Sequence, residues 1–89
     1  MSTSPIELRP LARTVVVSDD ALTVHLADGR VVSAPLVWFP RLLRATHAAR
    51  SMWELLGDGE GIHWPEADED LSVEGLLGGN RAQSVAREP

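Results

Sequence analysis

The chain has no cysteine, no lysine and no tyrosine, and it carries no arginine between Ser51 and Asn80. Without cysteine there is neither a disulfide nor a thiolate metal site to staple the fold, which fits a reducing, cytoplasmic setting. The lack of lysine points to a GC-rich coding sequence rather than to a function. No apolar run approaches the roughly 20 residues of a membrane span. The opening Met1-Ser2-Thr3-Ser4-Pro5 has no basic patch leading into an apolar run, so no secretory leader is expected. The missing arginines matter most, because the same stretch holds eight carboxylates: Glu54, Asp58, Glu60, Glu66, Asp68, Glu69, Asp70 and Glu74. Such a half repels phosphate backbones and attracts a basic partner.

The 89 residues, with a net charge of −5, amount to one small domain. Residues 1–13 read as a flexible arm, 14–79 as the folded domain and 80–89 as a polar tail. Thr14-Val15-Val16-Val17-Ser18 is β-branched and reads as a strand. Leu22-Thr23-Val24-His25-Leu26 alternates as a half-buried strand does, and Asp28-Gly29 is a strong hairpin signal. A two-residue turn there pairs Leu26 with Val31 and Val24 with Ser33. Leu22, Val24, Leu26 and Val31 then gather on one face, which is expected to be the inner one. Pro40 suits the first turn of a helix through Ala45. Thr46 can cap a second helix from His47 to about Leu56, with Met52, Leu55 and Leu56 on one side. Gly57-Asp58-Gly59-Glu60-Gly61 ends it. Ser72 starts a last short helix carrying Val73, Leu76 and Leu77, stopped by Gly78-Gly79. The expected class is α+β: a small antiparallel sheet built on the hairpin, packed with two or three short helices.

Several constellations invite chemistry. The acidic turn Glu66, Asp68, Glu69, Asp70 with His63 resembles a cation site. It lacks the glycine and closing glutamate of a calcium loop, and His25, His47 and His63 lie on separate elements. Capping of the last helix by Asp70 and Ser72 is the simpler reading, and no metal or other cofactor is expected. No Gly-x-Ser-x-Gly elbow occurs, and the glycine loop at 57–61 is itself anionic, so it cannot cradle phosphate. No catalytic residue is assigned and the protein is read as no enzyme. Arg41, Arg44 and His47 recur every three residues, but Thr46 interrupts any continuous basic helix, and their expected partners are the chain's own carboxylates. Of the three tryptophans, Trp53 reads as core, Trp64 as packing down the acidic turn, and Trp38 as the one with most claim to exposure.

The order of parts resembles the prokaryotic domain of unknown function 2442 family. The resemblance rests on the Asp28-Gly29 hairpin, Trp38-Phe39-Pro40-Arg41-Leu42-Leu43, Ala45-Thr46, Arg50-Ser51-Met52-Trp53, and above all the stretch from Ile62-His63-Trp64-Pro65 to Leu77. It covers about Thr14 to Gly79. Ala67 stands where a bulkier aliphatic is usual, and His47-Ala48-Ala49 replaces a more polar start. The resemblance implies a small α+β protein without an established enzymatic activity. It also implies a genomic neighbour of the domain of unknown function 4160 type, in an arrangement like a toxin–antitoxin pair with this chain on the antitoxin side.

Residues and resemblance together lead to a non-catalytic, antitoxin-like protein-binding module for a small basic protein encoded nearby. The expected contacts are Trp38, Trp64, Asp68, Glu69 and Asp70. A DNA-binding autoregulator, a homo-oligomeric scaffold and a minimal metal-dependent enzyme are the alternatives. The first is disfavoured by a pI near 5.0 and by the lack of a helix-turn-helix with a basic recognition helix.

Overall fold

A computed structural model describes residues 10–79. The termini expected as arm and tail lie largely outside that range, and within it Ala12 and Arg13 belong to the first strand. The described residues form two three-stranded antiparallel sheets and three short helices, an α+β fold. Strands β1 (Ala12–Val17), β2 (Ala21–Leu26) and β3 (Val31–Pro35) make the first sheet in sequential order. A 3-10 turn at Leu36–Trp38 leads into α1 (Pro40–Leu43) and α2 (His47–Ser51). The second sheet follows from β4 (Glu54–Leu56), β5 (Gly61–Trp64) and β6 (Glu69–Ser72), and α3 (Val73–Leu77) closes the described chain.

The first hairpin lies where Asp28-Gly29 indicates, but its register is one residue away from a two-residue turn. Val24 faces Val32 and His25 faces Val31. The loop holds three residues: Gly29 N–H donates to Leu26 O (3.0 Å), Leu26 N–H donates to Arg30 O (2.9 Å), and Gly29 has φ +97°. That is a type I turn closed by a left-handed glycine, the usual three-residue hairpin loop. A type I′ turn would need positive φ at Asp28 as well. Instead Asp28 keeps negative φ and its carboxylate accepts the Arg30 N–H (3.0 Å) and pairs with the Arg30 guanidinium (2.9 Å).

A one-residue slip moves each side chain of β3 to the other face. Val31 is therefore 55% exposed, and Val32 and Ala34 turn inward beside Val24 and Leu22. This gives a direct test. Val24→Asp should cost about 3–5 kcal/mol, since it buries an unpaired charge, whereas Val31→Asp should leave the urea midpoint almost unchanged. Equal damage from both would restore the two-residue register.

The larger correction concerns the helix expected from His47 to Leu56. It stops at Ser51, and Glu54–Leu56 is strand β4. Thr46 caps α2 as expected, accepting the Ala49 N–H at 3.0 Å. Met52, Leu55 and Leu56 do not form a buried stripe and all three are exposed. Trp53 packs on the core, Glu54 points out, and Leu55 shares the inner row with Ile62 and Leu71, which is strand alternation. The core joins both sheets: Leu22, Val24, Leu36, Phe39, Leu42, Ile62 and Trp64 are its largest wholly buried side chains.

The sheets are tied together main chain to main chain. Ala12 N–H donates to Gly59 O at 2.7 Å, while within the second sheet Val73 N–H donates to Glu60 O at 2.9 Å and continues the β5–β6 ladder. Gly59 has φ +112°, and a Cβ there would sit 2.5 Å from Ala12 O, so both conformation and space demand glycine.

Candidate interaction surface

The register of the second sheet sorts its side chains. Glu54, His63 and Asp70 form one cross-strand row, and Leu56, Gly61 and Ser72 form the row two residues along on the same, outer face. The inner face carries Ile62, Leu71, Trp64 and Glu69. Pro65, Glu66, Ala67 and Asp68 form the loop joining β5 to β6. Asp68 closes it at φ +55°, a left-handed conformation that Asp and Asn tolerate better than other side chains.

The acidic turn is therefore a hairpin loop, and Asp70 is not the cap of the last helix. Ser72 is that cap, accepting the Gly75 N–H at 2.9 Å, while Asp70 pairs across the sheet with His63 Nδ1. The five residues expected as contacts separate into three groups. Asp68 and Asp70 are open to solvent, with side chains 93% and 68% exposed. Trp64 is wholly buried and donates its indole N–H to Arg50 O at 3.1 Å, so it offers no surface to a partner. Glu69 is buried in β6, and loss of solvent raises its pKa, with the Arg41 charge opposing the rise. Trp38 is half-buried, packed on the core and edge-on to Phe39 with ring centroids 6.4 Å apart.

Arg41 and Arg50 turn to the chain itself. Arg41 Nη1 donates to Asp68 O at 2.6 Å and lies 3.9 Å from the Asp68 carboxylate, pinning the acidic loop to α1. Arg50, which the sequence offers only as part of the family resemblance and with no role, is buried. Its Nε donates to Leu42 O, Nη2 to Leu43 O and Nη1 to the Asp19 carboxylate, all within 2.9 Å. It thus serves the carbonyl end of α1, where backbone acceptors lack intrahelical donors. Arg50 has no local signature, because a surface arginine in a short helix has the same sequence context.

The outer row has a definite electrostatic character. The hydrogen bond that the His63 ring donates to Asp70 raises its pKa above the ordinary 6.5, assisted by the charges of Asp70, Glu54 and Asp68 against a partial desolvation. For a histidine raised in this way, the stabilisation is full below about 6.5 and is lost as pH rises through the higher folded value. Proton NMR of the His63 ring should accordingly give a midpoint above 6.5, and Asp70→Asn should bring it back toward that value. A midpoint at or below 6.5 in the parent protein would break the pairing argument. Among the described residues no group of three or more His, Asp or Glu side chains is arranged to hold a metal ion. Among them, too, no helix is long and apolar enough to cross a membrane.

Seven of the eight carboxylates between Ser51 and Gly79 are exposed, Glu69 being the exception, and all eight belong to the second sheet, its two loops and α3. The charge segregation of the sequence is therefore a segregation between two structural layers. A family model described as protein of unknown function, DUF2442, matches residues 12–82. A crystal structure of a protein of unknown function from Rhodospirillum rubrum is 29% identical, with a TM-score of 0.72 over 88% of this chain and 96% of that one. A solution structure of an uncharacterised protein from Chromobacterium violaceum shares the fold at 23% identity, with a TM-score of 0.71 over 90% of this chain and 74% of the other. No curated protein matches the sequence.

Proposed function

The chain belongs to the DUF2442 family, and from that premise we propose that it is a non-catalytic module that binds and neutralises a small basic protein, in the manner of an antitoxin. The observation that carries this reading is the one-sided charge. The second sheet and its connections hold seven exposed carboxylates and no arginine. Such a surface steers a cationic protein toward it and repels nucleic acid. Asp68 lies on an exposed loop and Asp70 on the edge strand β6, and Trp38 adds a partly open aromatic nearer the other sheet. Catalysis is left out because the His63 ring is held by Asp70, and the hydroxyl in the neighbouring row, Ser72, is taken up in capping α3.

The test is calorimetry and stopped-flow binding with the small protein encoded beside this one. Asp68→Asn keeps a residue that tolerates the left-handed loop position, and should slow association about two- to fivefold at low salt. Raising the salt should erase the difference. Binding that ignores both salt and this substitution would remove electrostatics from the account. Absence of binding would end the antitoxin reading.

A further inference from the structure

The two sheets present four edge strands, and their chemistry differs. Strand β1 is joined to the second sheet by the Ala12–Gly59 bond, β4 carries Glu54, and β6 carries Asp70. Strand β3 reads Val31-Val32-Ser33-Ala34-Pro35, with no charge along its length. Open edges are ordinarily guarded by charges, bulges or proline. On β3 only Pro35, at one end, does so.

Antiparallel pairing alternates between residues bonded to the neighbouring strand and residues turned away from it. On β3 the bonds to β2 are bracketed by Leu26 N–H to Arg30 O and Leu36 N–H to Asp20 O. The bonded positions between those two are therefore Val32 and Ala34. Val31 and Ser33 aim their N–H and C=O groups outward, and no described hydrogen bond takes them up. Both residues are exposed. The Ser33 hydroxyl is already shared with Thr23 Oγ1 at 3.0 Å, so the unmet polarity is that of the main chain.

We propose that β3 pairs antiparallel with β3 of a second copy of this chain, making one six-stranded sheet across two molecules. Setting Val32 opposite Val32 of the second copy pairs Val31 with Ser33 in both directions and satisfies every outward donor. Other registers fit worse. One sets Pro35 against Val31, where its ring takes the place of a donor. Another sets Ser33 against Gly29, whose N–H is spent on Leu26 O. An uncharged edge offers a basic or acidic segment nothing to pair with. A second copy brings the same donors and acceptors at the matching spacing. Exposed carboxylates on the second layer oppose contact between like copies there. On β3 the nearest charge, Arg30, is paired with Asp28 and faces Ala34 of the second copy. The inference stands apart from the function proposed above, since the acidic layer of each copy stays free. A strand of five residues is short, so the pairing buries less than the roughly 1,200 Å² of stable interfaces and is weak.

Sedimentation equilibrium of the full chain from about 10 µM to about 1 mM should show a monomer–dimer equilibrium with a Kd on the order of 100 µM. In a mixture of labelled and unlabelled protein, a nuclear Overhauser contact should join Val32 Hα to Val32 Hα of the second copy. Amide exchange at Val31 and Ser33 should slow as concentration rises, while Val32 and Ala34 are slow throughout. Ser33→Pro withdraws an outward donor and no bond to β2. Val31→Asp sets two like charges diagonally across the pairing. Each should raise the Kd about tenfold or more, with the urea midpoint of Val31→Asp nearly unchanged. A chain that stays monomeric at the highest concentration, or a dimer indifferent to both variants, would overturn the proposal. So would slow exchange of Val31 and Ser33 in dilute protein, or contacts between them and residues 1–9 or 80–89, since the edge would then belong to the chain itself.

Discussion

Arg50→Met is expected to lower the free energy of unfolding by about 2–4 kcal/mol, a large share of the margin by which a small domain is folded. The loss comes from the backbone acceptors rather than from the ion pair. Asp19 is mostly solvated, with a side chain 70% exposed, so water replaces the arginine there at little cost. Leu42 O keeps a second donor, the Ala45 N–H at 3.1 Å, while among the described hydrogen bonds Leu43 O has only Arg50. Arg50→Lys should recover less than half of the loss, because one ammonium cannot reproduce a fork that serves two carbonyls and a carboxylate. Urea unfolding followed by circular dichroism measures this, with Asp19→Asn as the comparison. A larger effect at Asp19 than at Arg50 would reverse the assignment. The same variant has a local readout. The Arg50 hydrogen bond, with help from the His47 charge, holds the Asp19 pKa below 3.8, so in Arg50→Met its titration should move up toward that value.

Trp64→Ala should be at least as damaging, about 3–5 kcal/mol, since it removes the largest wholly buried side chain of the core. In a chain of 89 residues that is enough to leave a substantial unfolded fraction at 37 °C. Trp64→Phe keeps a ring in place but withdraws the donor to Arg50 O, and should cost about 1–3 kcal/mol. Both variants distinguish a packing residue from a contact residue. A Trp64→Ala protein that kept its melting temperature and lost only partner affinity would return Trp64 to the surface. Arg50 and Trp64 meet through one carbonyl, so their effects should not add, and the double variant should fall short of the sum.

The contrast between Trp64 and Asp68 shows what the sequence makes legible. Elements whose stops are chemical were readable: the Asp28-Gly29 turn, Pro40 at the start of α1, the Thr46 and Ser72 caps, and Gly78 after α3. Each is a local rule satisfied by local atoms. The hairpin register was not readable, because two loops fit the same dipeptide. The choice between them lies in the Asp28 carboxylate binding the backbone and side chain of Arg30. The stretch Met52 to Leu56 fits helical spacing through Met52, Leu55 and Leu56, and strand alternation through Trp53, Glu54 and Leu55. Only pairing with Gly61–Trp64, a contact across the glycine loop, decides for the strand. The acidic half was visible as composition, but its division into an exposed Asp68 and Asp70 and a buried Glu69 follows from that same pairing. A charge is easy to count, whereas the face it lands on is set by a neighbour elsewhere in the chain.

The joint between the sheets, Ala12 N–H to Gly59 O, is made of peptide groups. Peptide groups are the part of a chain that substitution by anything but proline does not alter. Mutations can therefore repaint the outer side of the second sheet, residue by residue, without loosening the seam that fixes it to the first. Gly59, where any side chain would strike the Ala12 backbone, is barred from that freedom. A lineage that must keep matching a changing partner would find here a surface free to vary on a fixed mount. Relatives should then differ most along Glu54, Leu56, Asp68, Asp70 and Glu74, and least at Gly59 and at the aliphatic positions beneath.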